Sequence, residues 1–204
     1  MSDPSYGPDA IATPANFLSV VRLLVAPLLF AMISHRPTGW LVCALWIALS
    51  LTDGVDGWVA RRQGTTRSGA FLDPLADKVL VLGAMFALVA ADRFPVWPVA
   101  VIAAREVFIS LYRMWWGKRG LAMPARKSAK LKTLVQTLAV AAVLFPPTTD
   151  VLWLADLLLY AATFLAVFSG VQYVWDGSRA ATSMERPVPR PERDPGAVDE
   201  RERS

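Results

Sequence analysis

A chain of 204 residues, 54% of them apolar and 19% charged, is too hydrophobic for a disordered protein and unusual for a soluble one. Its single cysteine, Cys43, excludes an intramolecular disulfide framework, and its place inside an apolar run gives it a packing role. The net charge of +4 is unevenly distributed in a way that bears on membrane topology, and no nucleic-acid partner is expected.

Residues 1–14 carry no basic residue ahead of the first apolar run and no small-residue cleavage pattern, so a short cytosolic segment is expected there and not a removed signal peptide. Residues 15–34 are apolar apart from Arg22, and the stretches 37–52, 79–91, 94–104, 133–149 and 157–175 contain no Asp, Glu, Lys or Arg. A bilayer core takes roughly 20 residues of helix, so these runs predict an all-α, polytopic membrane protein with six transmembrane helices. The expected helices run 16–34, 39–61, 69–91, 95–117, 128–146 and 151–175, within a membrane domain at 15–176.

Pro37, Pro95, Pro98, Pro146 and Pro147 fall at or near turns on one side, where a missing N–H costs little. His35 sits at the same side as a solvated turn residue. Trp40, Trp97, Trp115, Trp116, Trp153 and Trp175 lie near helix ends, as indoles anchored at headgroup level do. From 177 to 204 the chain turns to Arg, Glu, Asp and Pro with almost no apolar residue, the composition of a disordered cytosolic tail.

With these spans, the loops on the far side carry Arg36 and Arg93. The opposite side collects Arg61, Arg62, Arg67, Lys118, Arg119, Arg126, Lys127, Lys130 and Lys132. The positive-inside rule puts that second group, and both termini, in the cytoplasm of a multi-pass protein of the cell membrane.

The informative stretch is Thr52 to Lys78, in which four carboxylates and several cations sit against two hydrophobic helices. Charges in such a place are costly and ordinarily functional. Asp53, Asp56, Gly57 and Ala60 are spaced i, i+3, i+4, i+7, one face of a helix; Gly69, Asp73 and Asp77 are spaced i, i+4, i+8 on the next. Two antiparallel neighbours joined by a short loop would bring those stripes face to face. Four carboxylates that close repel unless protonated or bridged by cations, and hard oxygen donors without His or Cys suit two Mg²⁺ or Mn²⁺ ions and not zinc. Such a metal pair clamps a pyrophosphate; Gly57 and Gly69 leave room for a bulky ligand, and Arg61 can meet a phosphate bidentately.

These residues resemble the signature of the CDP-alcohol phosphatidyltransferases, D-x-x-D-G-x-x-A-R, a short spacer, then G-x-x-x-D-x-x-x-D. Asp53, Asp56, Gly57, Ala60, Arg61, Gly69, Asp73 and Asp77 fill every fixed position, and the spacer Arg62–Ser68 is one residue shorter than in most members. The resemblance implies a six-helix fold, usually a homodimer, with Asp53, Asp56 and Asp73 holding the metals. Asp77 would act as the base that takes the proton from the acceptor hydroxyl, beside the metals it helps to hold. CDP would be gripped by Asp53, Asp56, Gly57, Ala60, Arg61, Arg67 and Gly69, and the phosphatidyl donor would be CDP-diacylglycerol.

The acceptor is less sharply marked. Residues 104–136 carry Arg105, Glu106, Arg113, Lys118, Arg119, Arg126, Lys127, Lys130 and Lys132, a cluster suited to an acceptor that is itself a phosphate ester. Arg105, Arg113, Lys130 and Lys132 are the candidate ligands of that phosphate, because charges that border or interrupt apolar helices need a task. The remaining cations set topology and meet anionic lipid. The pattern A-R-E with Arg113 eight residues after Arg105, A-K-x-K-T-x-x-Q from Ala129, and T-P-A-N-F-L-S-V-V-R from Thr13, with Asn16 and Arg22 near the cytosolic face, look like the branch whose acceptor is glycerol 3-phosphate. Cardiolipin synthases, which use phosphatidylglycerol, and phosphatidylinositol phosphate synthases are the alternatives inside the family. A divalent-cation transporter is the rival outside it, but a cation path would carry polar groups through the depth of several helices, whereas these acids bunch at one end. A scaffold without activity would have no use for all eight signature positions.

Overall fold

Apolar runs punctuated by Pro, Gly and polar turns fold, among the described residues, as six α-helices: α1 Pro14–His35, α2 Trp40–Gln63, α3 Arg67–Ala90, α4 Val96–Gly117, α5 Lys127–Leu144 and α6 Leu152–Met184. A short 3-10 helix, Pro146–Val151, opens on two prolines and joins α5 to α6. The computed structural model describes residues 14–63, 67–117 and 127–184; the side chains of 14–15, 53–63, 67–71, 127–130, 178 and 180–184 fall outside that description. No strand occurs among the described residues.

The helix limits fall close to those expected from the sequence, with one exception. The sixth helix continues through Gly177 to Met184 instead of ending at 175, so the segment expected to be a tail from 177 begins as helix. Polar composition ends the lipid-facing part of a helix without ending its hydrogen-bond ladder. Residues 185–204, the rest of the expected tail, and the basic segment 118–126 lie outside the described residues.

Helix α1 is the organiser of the N-terminal half. It packs most extensively on α3 and also against α2, while α5 packs on α6 and reaches α2 and α3, and α4 lies against α6 and α3. Along their described residues α2 and α3 make little direct contact, and α1 is the neighbour of both; the facing acidic rows expected of this pair fall largely on side chains outside the description. Close approach of α1 and α3 depends on Gly83, where a Cβ would come within 3.0 Å of the Phe30 ring.

The core that results is continuous and apolar, with Leu29, Ile33, Met85, Leu88, Ile102, Val140, Leu144 and Leu159 shut away from the surface. Trp46 is buried with them, and its indole N–H donates to the Thr137 carbonyl at 3.3 Å, tying α2 to α5. Cys43 is buried and unbonded to another cysteine, in keeping with a packing role. At one end of the bundle the 36–39 turn is pinned to α5: Gly39 N–H donates to the Leu144 carbonyl at 3.1 Å and the Thr38 hydroxyl to Val143 O at 3.0 Å. Trp40 meets Phe145 edge-on at 5.4 Å there. Asp92, at φ 55°, supplies the left-handed residue that closes α3.

The outside of the bundle is as apolar as the inside. Leu24, Leu28, Leu41, Phe164 and Val171 are all more than half exposed, a pattern water would penalise and lipid would not. Among the described residues two segments are long and apolar enough to cross a bilayer, Asn16–His35 and Pro146–Gly177, and Trp40–Thr52 and Leu131–Leu144 are shorter apolar helices. Trp40, Trp97 and Trp153 stand exposed near helix ends, as anchoring indoles do. The fold is an all-helical bundle with the surface of an integral membrane protein.

Candidate active site

The C-terminal half of α2 is helical through Gln63, so its backbone places Asp53, Asp56, Gly57 and Ala60 on one face, with Arg61 one position on. The side chains of these residues, and those of Arg67 and Gly69 at the start of α3, lie outside the described residues. The four-carboxylate grouping as a whole is therefore outside them too.

The second acidic row is described from Asp73 onward. Asp73 and Asp77 occupy successive turns of α3, with Pro74 between them removing one N–H from the helix ladder. The Asp73 carboxylate accepts a hydrogen bond of 2.5 Å from the hydroxyl of Ser19, a fully buried residue of α1. Ser19 lies midway between two other buried polar residues, Asn16 and Arg22, so α1 presents a polar stripe in an otherwise apolar helix. Asp77 borders a narrow cleft whose other walls are Lys78, Val81 and Leu82 of α3, Glu106 of α4, and Lys132, Thr133 and Gln136 of α5.

That cleft opens on a buried ion cluster centred on one carboxylate. Glu106 is paired with Lys132, which is only 5% exposed at its side chain, with Arg105 Nη1 at 3.0 Å, and with Lys78 Nζ at 3.8 Å. Lys78 also donates to the Ser110 hydroxyl, which itself donates to the Glu106 carbonyl at 2.6 Å. Arg105 reaches in the other direction to α6, where its Nε donates to Ala166 O at 3.1 Å and its Nη2 to Ser169 Oγ at 2.9 Å. Gly170 makes room for that crossing: a Cβ there would stand 3.3 Å from Arg105 Cγ. Four helices are thus joined at one polar node.

Of the four cations expected to bind an acceptor phosphate, the structure brings Arg105 and Lys132 together on Glu106. Arg113, two turns further along α4, is exposed and outside the cluster, and the side chain of Lys130 lies outside the described residues. Lys78, Ser110 and Ser19 were not singled out by sequence, and Glu106 was seen only as one charge in a string. Lys78 directly follows Asp77 and so was readable as part of the acidic motif. Nothing in the sequence paired Glu106 with Lys132, 26 positions away on another helix.

The donor set suits divalent metal as far as it is described. Asp73 and Asp77 are hard oxygen donors on one helix face with no His or Cys beside them, appropriate to Mg²⁺ or Mn²⁺. Among the described residues no group of three or more His, Cys, Asp or Glu side chains gathers. The remaining expected ligands, Asp53 and Asp56, are among the side chains outside the description.

Comparison with known proteins bears directly on this site. The family model for CDP-alcohol phosphatidyltransferase matches residues 12–172, which takes in the whole acidic signature and the Glu106 cluster. A CDP-diacylglycerol–glycerol-3-phosphate 3-phosphatidyltransferase of Sodalis glossinidius is 37% identical over 170 residues, 78% of this chain and 92% of that protein. A protein of the same name from Yersinia enterocolitica is 35% identical over 169 residues, 78% of this chain and 91% of its own length. One named "Probable phosphatidylglycerophosphate synthase" in Mycobacterium tuberculosis is 34% identical over 174 residues, 82% of this chain and 83% of its own. With its signature positions filled and most of its length matched, the chain belongs to the CDP-alcohol phosphatidyltransferase family.

Proposed function

We propose that this membrane enzyme transfers the phosphatidyl group of CDP-diacylglycerol to glycerol 3-phosphate, giving phosphatidylglycerophosphate and CMP. The observation that carries the reading is the cleft beside Asp77 whose walls include Lys78 and Lys132, cations that support a phosphate ligand next to the expected base. The names of the relatives, which specify this donor and acceptor, support it.

In this reading Asp53, Asp56, Asp73 and Asp77 hold two Mg²⁺ or Mn²⁺ ions. When bound, they supply charge stabilisation for the pyrophosphate and its leaving group. The CDP moiety lies along Asp53, Asp56, Gly57, Ala60, Arg61, Arg67 and Gly69, with the two glycines leaving space at the helix surface. Asp77 accepts the proton of the acceptor hydroxyl as its oxygen attacks the phosphorus that carries diacylglycerol. A new P–O bond forms to the acceptor, the pyrophosphate P–O bond breaks, and CMP departs with the electron pair. Lys132, with Arg105 and Lys130, orients the acceptor through its phosphate. Ser19 fixes the carboxylate of Asp73, which limits its rotation before any ligand arrives.

The same reading places all six helices across the cell membrane with the active site and both termini in the cytoplasm, and makes the working unit a homodimer. Residues 1–14 and the polar tail, expected from 177 and now from the end of α6, lie on that cytosolic side. The positive charge at the ends of α2 and α4 supports this orientation. Cysteine-accessibility labelling of 118–126 and 36–39 in intact cells tests the orientation, and crosslinking in membranes tests the dimer.

A panel of acceptors tests the chemistry. Purified protein with CDP-diacylglycerol and Mg²⁺ is expected to release CMP with glycerol 3-phosphate, and not with phosphatidylglycerol or inositol phosphate. Preference for phosphatidylglycerol would make the enzyme a cardiolipin synthase, and release with none of the three refutes the transferase reading.

A further inference from the structure

We propose that Glu106 is the positioning residue of the acceptor site, gathering Lys78, Arg105 and Lys132 from three helices so that their charge is held at the cleft beside Asp77. The inference rests on the phosphatidyl-transfer reading and assigns how that site is organised.

Burial makes the arrangement informative. Glu106 and Lys132 are 6% and 4% exposed, at the heart of helices whose neighbours are apolar. Three cations drawn onto one carboxylate repel one another, and without Glu106 nothing else described in the cluster would hold Lys132 against that repulsion. With Glu106 present the cluster still sets three basic groups against one carboxylate, and two of them, Lys78 and Lys132, line the cleft together with Asp77. A buried excess of positive charge is costly until an anion enters.

A second, independent observation marks where that anion would go. Gln136 is 3% exposed and lines the cleft, and its amide nitrogen has no hydrogen-bond partner. A buried donor without an acceptor is rare and costly, and an incoming oxygen would satisfy it. Thr133 lies on the same wall, one residue from Lys132. Ammonium, amide and hydroxyl donors on one turn of α5, opposite a carboxylate suited to proton abstraction, form a set that recognises a phosphate ester carrying a hydroxyl.

Steady-state kinetics of the full-length enzyme in detergent micelles test the assignment, each substrate being varied while the other is saturating. Glu106→Gln is expected to raise KM for glycerol 3-phosphate at least tenfold and to weaken competitive inhibition by inorganic phosphate by a similar factor. KM for CDP-diacylglycerol should stay within twofold. Glu106→Asp, which keeps the charge on a shorter stem, should fall between wild type and Glu106→Gln. Should Glu106→Gln fail to fold, Glu106→Asp and Gln136→Leu carry the test, the latter removing the amide nitrogen that has no partner in the protein, and each should raise KM for glycerol 3-phosphate at least threefold. An unmoved acceptor KM in the variants, or equal rises for both substrates, overturns the positioning role while leaving the functional reading in place. Wild-type protein that releases no CMP with glycerol 3-phosphate overturns both.

Discussion

Replacing Arg105 with lysine separates the structural and the ligand-binding demands on this residue. The guanidinium spends one donor on Glu106 and two on α6, through Ala166 O at 3.1 Å and Ser169 Oγ at 2.9 Å, and the side chain is 11% exposed. Lysine keeps the charge and can still pair with Glu106, but a single ammonium cannot reproduce the planar fork that spans to α6. A hydrogen bond from a charged donor contributes about 1.5–3 kcal/mol, so two lost bonds cost about 3–6 kcal/mol at face value. Ser169 also donates to Ala166 O at 3.1 Å, so neither acceptor is left wholly unserved and the lower end, about 3 kcal/mol, is expected. For a chain of this size that corresponds to a fall in Tm of roughly 6–12 °C. Thermal unfolding followed by size-exclusion fluorescence in detergent measures it. A Tm within 2 °C of wild type would refute the argument that Arg105 joins α4 to α6.

Three further outcomes follow from the site and its supports. Asp77→Asn should lower kcat at least a hundredfold while KM for CDP-diacylglycerol changes less than threefold, because a missing base affects proton transfer and not donor binding; CMP release assays with varied donor read both. Treatment with EDTA should abolish CMP release, and added Mg²⁺ or Mn²⁺ should restore it where Ca²⁺ does not; activity surviving exhaustive chelation would contradict a metal role for the acidic rows. Gly83→Leu should cost about 1–3 kcal/mol by forcing Phe30 out from between α1 and α3, visible as a lower Tm with unchanged KM values for the protein that remains folded.

Much of the architecture was legible in the sequence because hydropathy and turn chemistry act locally. The limits of α1, α2, α4 and α5 lie within two residues of those expected, since Pro37, Gly39, Pro95 and Pro146 interrupt the apolar runs where the chain must turn. The acidic rows were legible for the same reason, as i, i+3, i+4 spacing is a property of one helix. Two features were not. The extension of α6 to Met184 escaped because a composition change ends a lipid-facing surface and not the helix itself. The partnership of Glu106 with Lys78 and Lys132, and the placement of α1 against both α2 and α3, are set by how helices pack in three dimensions, and an all-round apolar helix does not say which face meets which neighbour. Arg113 illustrates the converse: in sequence it looks like Arg105, yet two turns of helix put it outside the cluster.

The most direct measurement of the central claim is product stoichiometry with purified enzyme reconstituted in liposomes containing CDP-diacylglycerol and supplied with glycerol 3-phosphate and Mg²⁺. One phosphatidylglycerophosphate, identified by mass spectrometry, should form for each CMP released, and both should vanish together in Asp77→Asn. CMP without the new lipid, or lipid formation undiminished in that variant, would contradict the account.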